Sequence, residues 1–137
     1  MSEALLACTK ENTPYFTLCG EHECKCVGVY DGDTITVALK LGELFYKFRI
    51  RLLGIDAPEL RTKNDAEKQK AIIVRDFLRG IVLNRIIKIK CEKFDKYGRV
   101  LAWVYLLNSE QSVNDLLIEK KYAKAYDGGT RQPYTDY

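Results

Sequence analysis

The sequence is poor in the residues that most often mark a site. It holds one histidine, one tryptophan, one methionine and three prolines, so His22 is the single imidazole and reads as a surface residue rather than a ligand or general base. No apolar run approaches the roughly 20 residues needed to span a bilayer, and no membrane partner is expected. The opening MSEALLACTK lacks a basic stretch ahead of its short apolar run and carries Glu3, so no secretory signal is read. An intracellular protein is expected, with export by a non-classical route left open. The five cysteines form no pair of CxxC units. Cys19, His22, Cys24 and Cys26 cluster, but Cys24 and Cys26 fall on one face of a strand, so free thiols are expected and a zinc module is not. Neither an internal repeat nor a low-complexity tract appears. Charge of one sign is missing too: 22 basic against 19 acidic residues give +3, which permits a polyanionic partner without demanding one.

What remains is a chain of 137 residues, 47% hydrophobic, long enough for one domain with a real core and too short for two ordinary ones. From Glu23 the alternation of Cys24, Cys26, Gly28 and Tyr30 against Lys25, Val27 and Val29 reads as a first strand ending at Asp31-Gly32, a strong hairpin turn. A second strand runs from Thr34 to Leu39. A third, Leu44 to Leu53, follows the Leu41-Gly42-Glu43 turn. A charged loop precedes a helix from about Asp65 to Arg79, with Asn64 or Asp65 as its cap, Ala71, Val74 and Leu78 at helical spacing, and Gly80 as its stop. The fourth strand, Arg85 to Lys93, and the fifth, Val100 to Leu107, are joined by Asp95-Lys96-Tyr97-Gly98-Arg99. Ser112 caps a last helix, Val113 to Lys121, with Leu116 and Leu117 inward. This order is that of a five-stranded Greek-key OB barrel with α-helices, one between strands three and four and one at the C-terminus. Residues 1–22 are expected to be an arm or edge strand in which Tyr15, Phe16 and Leu18 pack on the domain. The domain itself spans 23–126, with Tyr122 to Tyr126 against the barrel, and 127–137 is a loose tail.

Three segments carry chemistry. RIRLLGIDAPE, residues 49–59, opens as a strand, then sets Asp56 and Glu59 around Ala57-Pro58, where the proline forces an extended or turned backbone. Arg51 lies within one strand's reach of these acids, as a metal-assisted phosphate site requires. Alone, the stretch reads equally as a solvated loop with incidental ion pairs. DGDT, residues 31–34, is alone a good turn, and DKYGR, residues 95–99, a hairpin with a charged tip.

Taken in this order and these strand contexts, the three segments closely resemble the staphylococcal nuclease (thermonuclease) family, from about Val27 to Tyr126. The resemblance implies a calcium-dependent nuclease that cleaves DNA and RNA irrespective of the sugar, leaving 3′-phosphorylated products. By the same resemblance Asp33, Asp56 and the Ala57 carbonyl would hold Ca2+, Arg51 and Arg99 would bind the phosphate, and Glu59 would orient or deprotonate the attacking water. Lys96 and Tyr97 match positions near the terminal phosphate, and Tyr126 a tyrosine beside the nucleotide. The chemistry is coherent: two bidentate guanidiniums and a hard cation neutralise charge that grows toward the transition state. Aromatic faces beside basic groups favour unpaired strands, because stacking tolerates any base. A monomer is expected.

The sequence departs from the family in three places. Ala57 replaces a threonine, the loop between Glu59 and the helix is shorter, and residues 127–137 carry no tryptophan where the family has one on a C-terminal helix. An alternative of another class is a nuclease-like OB domain that only binds nucleic acid or a protein partner. Such degenerate copies would be expected to lose acids or arginines, and Asp33, Arg51, Asp56, Glu59 and Arg99 are all present.

Overall fold

Alternating apolar and polar residues roll the chain into a barrel, and the points where the alternation breaks decide what faces the site. The computed structural model describes residues 2–129 and 133–135. It begins with a short helix, α1 (Ser2–Leu6), that buries none of its residues and that the sequence pattern did not indicate. Of the expected arm contacts, Leu18 is 3% exposed and joins the core, Phe16 tilts against Phe94 with ring centroids 6.1 Å apart, and Tyr15 is fully in solvent.

Strand β1 (Gly20–Asp31) starts three residues before the expected Glu23 because Gly20 to Lys25 pair with the far side of the barrel, Cys91 to Ile86. Cys24 and Cys26 point inward as the alternation requires. The sequence pattern carries that phase to Gly28 and Tyr30, and here the structure corrects it. Register shifts lie between Cys26 and Gly28 and between Val29 and Asp31. The first is a bulge whose unpaired residue, Val27, turns the following side chains over. Val29 and Asp31 are therefore buried while Tyr30 faces solvent.

β2 (Thr34–Leu41) and β3 (Leu44–Leu52) continue as antiparallel hairpins. After β3 comes a two-residue strand, β4 (Ile55–Asp56), then α2 (Asp65–Val82), β5 (Ile86–Phe94), β6 (Val100–Leu106), α3 (Val113–Glu119) and a second two-residue strand, β7 (Lys124–Ala125), which pairs with β4. β3 runs parallel to β6, and β1 antiparallel to β5, closing the barrel in the order β1-β2-β3-β6-β5. This is the expected five-stranded barrel of OB type, with α2 between the third and fourth barrel strands.

The interior is filled by Ile35 and Val37 of β2, Ile50 and Leu52 of β3, Ile87 and Ile89 of β5, and Val100 and Val104 of β6. Full burial of each such side chain is worth about 1.5–3 kcal/mol. Val74, Leu78 and Val82 of α2 join this core. The expected stop at Gly80 does not hold. A glycine weakens a helix only by about 1 kcal/mol, and burial of Val82 carries α2 two residues further before Asn84 takes a left-handed φ of 63°. Tyr122 packs on Phe77 of α2 at 4.9 Å, and the Tyr126 N–H donates to the Gly54 carbonyl at 2.9 Å, so this part of the tail does lie on the barrel. Part of the expected loose tail, 130–132 and 136–137, lies outside the described residues. Among the described residues no helix is long and apolar enough to cross a membrane.

Candidate active site

The turn from β1 to β2 carries two acids, and its shape depends on Gly32. A Cβ there would meet Val74 Cγ1 at 2.6 Å and Ala57 Cβ at 2.8 Å, so only glycine lets the turn settle onto α2 and the strand end beyond β4. Asp33, 8% exposed, is tied in on all sides. Its Oδ2 accepts the Ala57 N–H at 3.2 Å and lies 3.5 Å from Arg51 Nη2, its Oδ1 accepts the Thr34 hydroxyl at 3.1 Å, and its carbonyl accepts the Leu52 N–H at 2.8 Å. Asp31, brought inward in step with Val29 by the first bulge, accepts the Asp33 N–H at 3.1 Å. Burial, reinforced by the neighbouring Asp33 charge, pushes the Asp31 carboxyl up to about 7, the Arg51 charge pulling the other way.

The end of β3 supplies Arg51. Its Nη1 donates to the Leu52 carbonyl at 2.5 Å and its Nη2 to the Ile55 carbonyl at 2.9 Å, so two backbone oxygens fix the guanidinium, which also pairs with Asp33. Asp56, 5% exposed, is positioned by the pairing of β4 with β7, opposite Lys124. Beyond Pro58 the chain is held from α2: the Glu59 N–H donates to Glu67 Oε2 at 2.9 Å, and the Thr62 hydroxyl to Glu67 Oε1 at 3.1 Å.

The β5–β6 turn is organised by Asp95. Its Oδ1 accepts the N–H groups of Tyr97 and Arg99 at 2.8 and 2.9 Å, and its Oδ2 accepts Arg99 Nε at 2.7 Å. Burial works against the charged form of Asp95, but these backbone donors and the Arg99 guanidinium outweigh it and hold the carboxyl below its ordinary range. The Tyr97 ring lies between two cations, 5.6 Å from the Arg99 guanidinium and 5.2 Å from Lys96 Nζ.

These three segments meet at one cleft of about 600 Å³, lined by Asp33, Arg51, Asp56, Glu59, Tyr97, Arg99 and Tyr126 of the residues named from sequence. Lys96 is not among them; it faces an adjoining hollow that shares Arg51, Tyr97, Arg99 and Tyr126. Ala57 is buried behind the cleft, and it is its N–H that donates to Asp33. The cleft also contains Asp31, Tyr30, Thr34 and Arg49, which sequence reasoning left unassigned. Asp31 and Thr34 stood in the DGDT turn, but only the bulge in β1 reveals which way they face.

Every donor gathered here on the acidic side is oxygen, which suits a hard cation such as calcium rather than a soft one. Among the described residues no three acid, thiol or imidazole groups are grouped tightly enough to cage a metal alone, so backbone oxygen and water would have to complete any coordination sphere. Cys24, Cys26 and Cys91 lie in the barrel interior instead, with burial pushing the Cys24 thiol up to about 12 and the Cys91 thiol to about 11.

Residues 49–137 match the family model described as staphylococcal nuclease homologue. The chain is 32% identical to an uncharacterized protein of Methanocaldococcus jannaschii, across 74% of this chain and 58% of that one. It is 30% identical to an uncharacterized endonuclease of Escherichia coli, across 85% of this chain and 69% of that one. It is 31% identical to a thermonuclease of Staphylococcus hyicus, across 77% of this chain and 60% of that one. The chain thus spans little more than half the length of two of these three relatives.

Proposed function

The chain belongs to the staphylococcal nuclease family, and from that premise we propose that it is a calcium-dependent nuclease hydrolysing phosphodiester bonds of DNA and RNA. Single strands are favoured and 3′-phosphorylated products result. Homology supports nuclease activity in general. The finer reading rests on one observation: Arg51 and Arg99, from separate strand ends, line the same cleft as Asp33, Asp56 and Glu59.

In this reading the scissile phosphate lies between the two guanidiniums. Arg51, anchored by the Leu52 and Ile55 carbonyls, and Arg99, aimed by Asp95, present N–H donors already oriented toward oxygens whose charge grows in the transition state. Removing one such donor from other enzymes costs about 2.7–4 kcal/mol of barrier. Glu59 takes the proton of the attacking water. Asp33, Asp56 and the Ala57 carbonyl would hold calcium, which when bound supplies positive charge to the phosphate and relieves repulsion among the acids. Tyr97, Tyr126 and Lys96 flank the nucleotide.

The test is digestion of heat-denatured DNA, duplex DNA and RNA with calcium, magnesium or EDTA, with product ends read by 3′-phosphatase sensitivity. Calcium-dependent products bearing 3′-phosphates are expected. Strand binding without cleavage by a folded protein would instead identify a binding domain.

A further inference from the structure

The cleft does not end at Arg51. Alternate side chains of β3 leave the barrel on the same side, and outward from Arg51 they are Arg49, Lys47 and Phe45. Directly opposite on β2 stand Thr36, Ala38 and Lys40. Opposed residues of an antiparallel pair share a face, so these six form one surface, while Ile35, Val37, Leu39 and Ile50 fill the interior behind it. β1 adds Lys25, opposite Ala38.

The composition of this surface is directional. Small Thr36 and Ala38 make a low floor between exposed cations, Phe45 stands 73% exposed at the far end, and Tyr97 stands 63% exposed at the cleft end. The acids nearby are set aside: Glu23 of β1 faces Lys88 of β5, and Glu43 lies in the turn beyond β2. Arg49 joins the two regions, because it lines the cleft and its Nη2 donates to the Tyr97 carbonyl at 3.3 Å. From Arg51 to Lys47 the row covers roughly 13 Å at 3.3 Å per residue, more than one phosphate can use.

Resting on the nuclease reading above, we propose that the outer face of β2 and β3 is a track for single-stranded polynucleotide leading out of the cleft. Arg49 and Lys47 hold phosphates neighbouring the one that is cut, and Phe45 offers a ring to a base. A duplex hides the faces of its bases, whereas an unpaired strand can lay phosphates on the cations and stack a base on the ring.

The experiment measures binding of fluorescent oligothymidylate strands of 3 and 15 nucleotides in EDTA, from 50 to 200 mM salt, for the wild type and for Lys47→Gln/Arg49→Gln, with thermal melts of both. Each lost phosphate contact lowers the slope of log K against log salt by about 0.7. The variant is expected to melt like the wild type and to lose about 1.4 from the slope with the longer strand, and less with the shorter. Phe45→Ala, which removes no charge, is expected to weaken the longer strand without changing the slope. An unchanged slope in the double variant, while the wild type binds and cleaves, overturns the track alone. A wild type that neither binds nor cleaves overturns the nuclease reading and the track with it.

Discussion

Glu67 carries the backbone of Glu59: its Oε2 accepts the Glu59 N–H at 2.9 Å while its Oε1 takes the Thr62 hydroxyl at 3.1 Å. A glutamate three residues after a helix cap ordinarily folds back to the cap's own N–H. Here the Asn64 N–H goes to Thr62 Oγ1, and Asn64 Oδ1 caps the Glu67 N–H. The carboxylate is thus left to fasten the loop that delivers the proposed water-activating group. Glu67→Ala is expected to lower both kcat and stability, the latter by the about 1–3 kcal/mol that an unsatisfied buried group costs. Glu67→Gln, which keeps one carbonyl oxygen, should recover part of each. Steady-state kinetics on denatured DNA beside thermal melts checks this; loss of stability with unchanged kcat would make Glu67 a purely structural residue.

Asp95 does the same for Arg99. With Asp95→Ala the Arg99 side chain loses the partner of its Nε and the turn loses the acceptor of two N–H groups. A misplaced catalytic group costs up to about 100-fold in rate. The expected outcome is a fall in kcat approaching that of Arg99→Ala, and the double variant should fall no further than Arg99→Ala alone. Additive losses would show that the two act independently.

The barrel was legible because its strands alternate and its turns carry Asp-Gly, Gly42 and Gly98. The three acid- and arginine-bearing segments were legible as sequence motifs. What lay hidden are features set by pairing across the barrel. The bulge that turns Val29 and Asp31 inward arises from register against β2, and periodicity within β1 alone cannot reveal it. The β4–β7 pairing that places Asp56 joins segments some 70 residues apart through two-residue strands, too short for any pattern. Gly80 signalled a stop that burial of Val82 overrode.

Asn114 shows the same limit. A polar residue one helical position after Val113 reads as surface, yet it is fully buried, accepting the Val104 N–H at 2.9 Å and donating to the Leu53 and Ala102 carbonyls at 2.7 and 3.2 Å. It ties α3 to β6 and to the end of β3. Asn114→Leu should therefore destabilise despite its apolar character, leaving the Val104 N–H and the Leu53 carbonyl unpaired at about 1–3 kcal/mol each, while the Ala102 carbonyl keeps the Leu53 N–H. Circular-dichroism melting should show a fall on the order of 10–20 °C. No change would mean that those backbone groups find other partners.

Asp31 makes stability depend on pH. Its folded value of about 7 lies above the ordinary 3.8, so between these limits the folded state binds the extra proton and stability falls as pH rises. Without divalent cations, Asp31→Asn is expected to raise the melting temperature at pH 8 and to leave it nearly unchanged at pH 3, where the carboxyl is protonated when folded and largely so when unfolded. Calcium should narrow the difference at pH 8. An equal gain at both pH values would assign the effect to packing rather than charge.

Heat-denatured DNA, incubated with calcium or with EDTA and either the wild type or Arg51→Ala/Glu59→Ala, separates catalysis from mere binding. Degradation by the wild type that requires calcium and disappears in the double variant, both proteins melting cooperatively, is the expected result. A folded wild type that leaves the strand intact with calcium, or a double variant that cuts as fast as the wild type, would contradict the nuclease reading of this cleft.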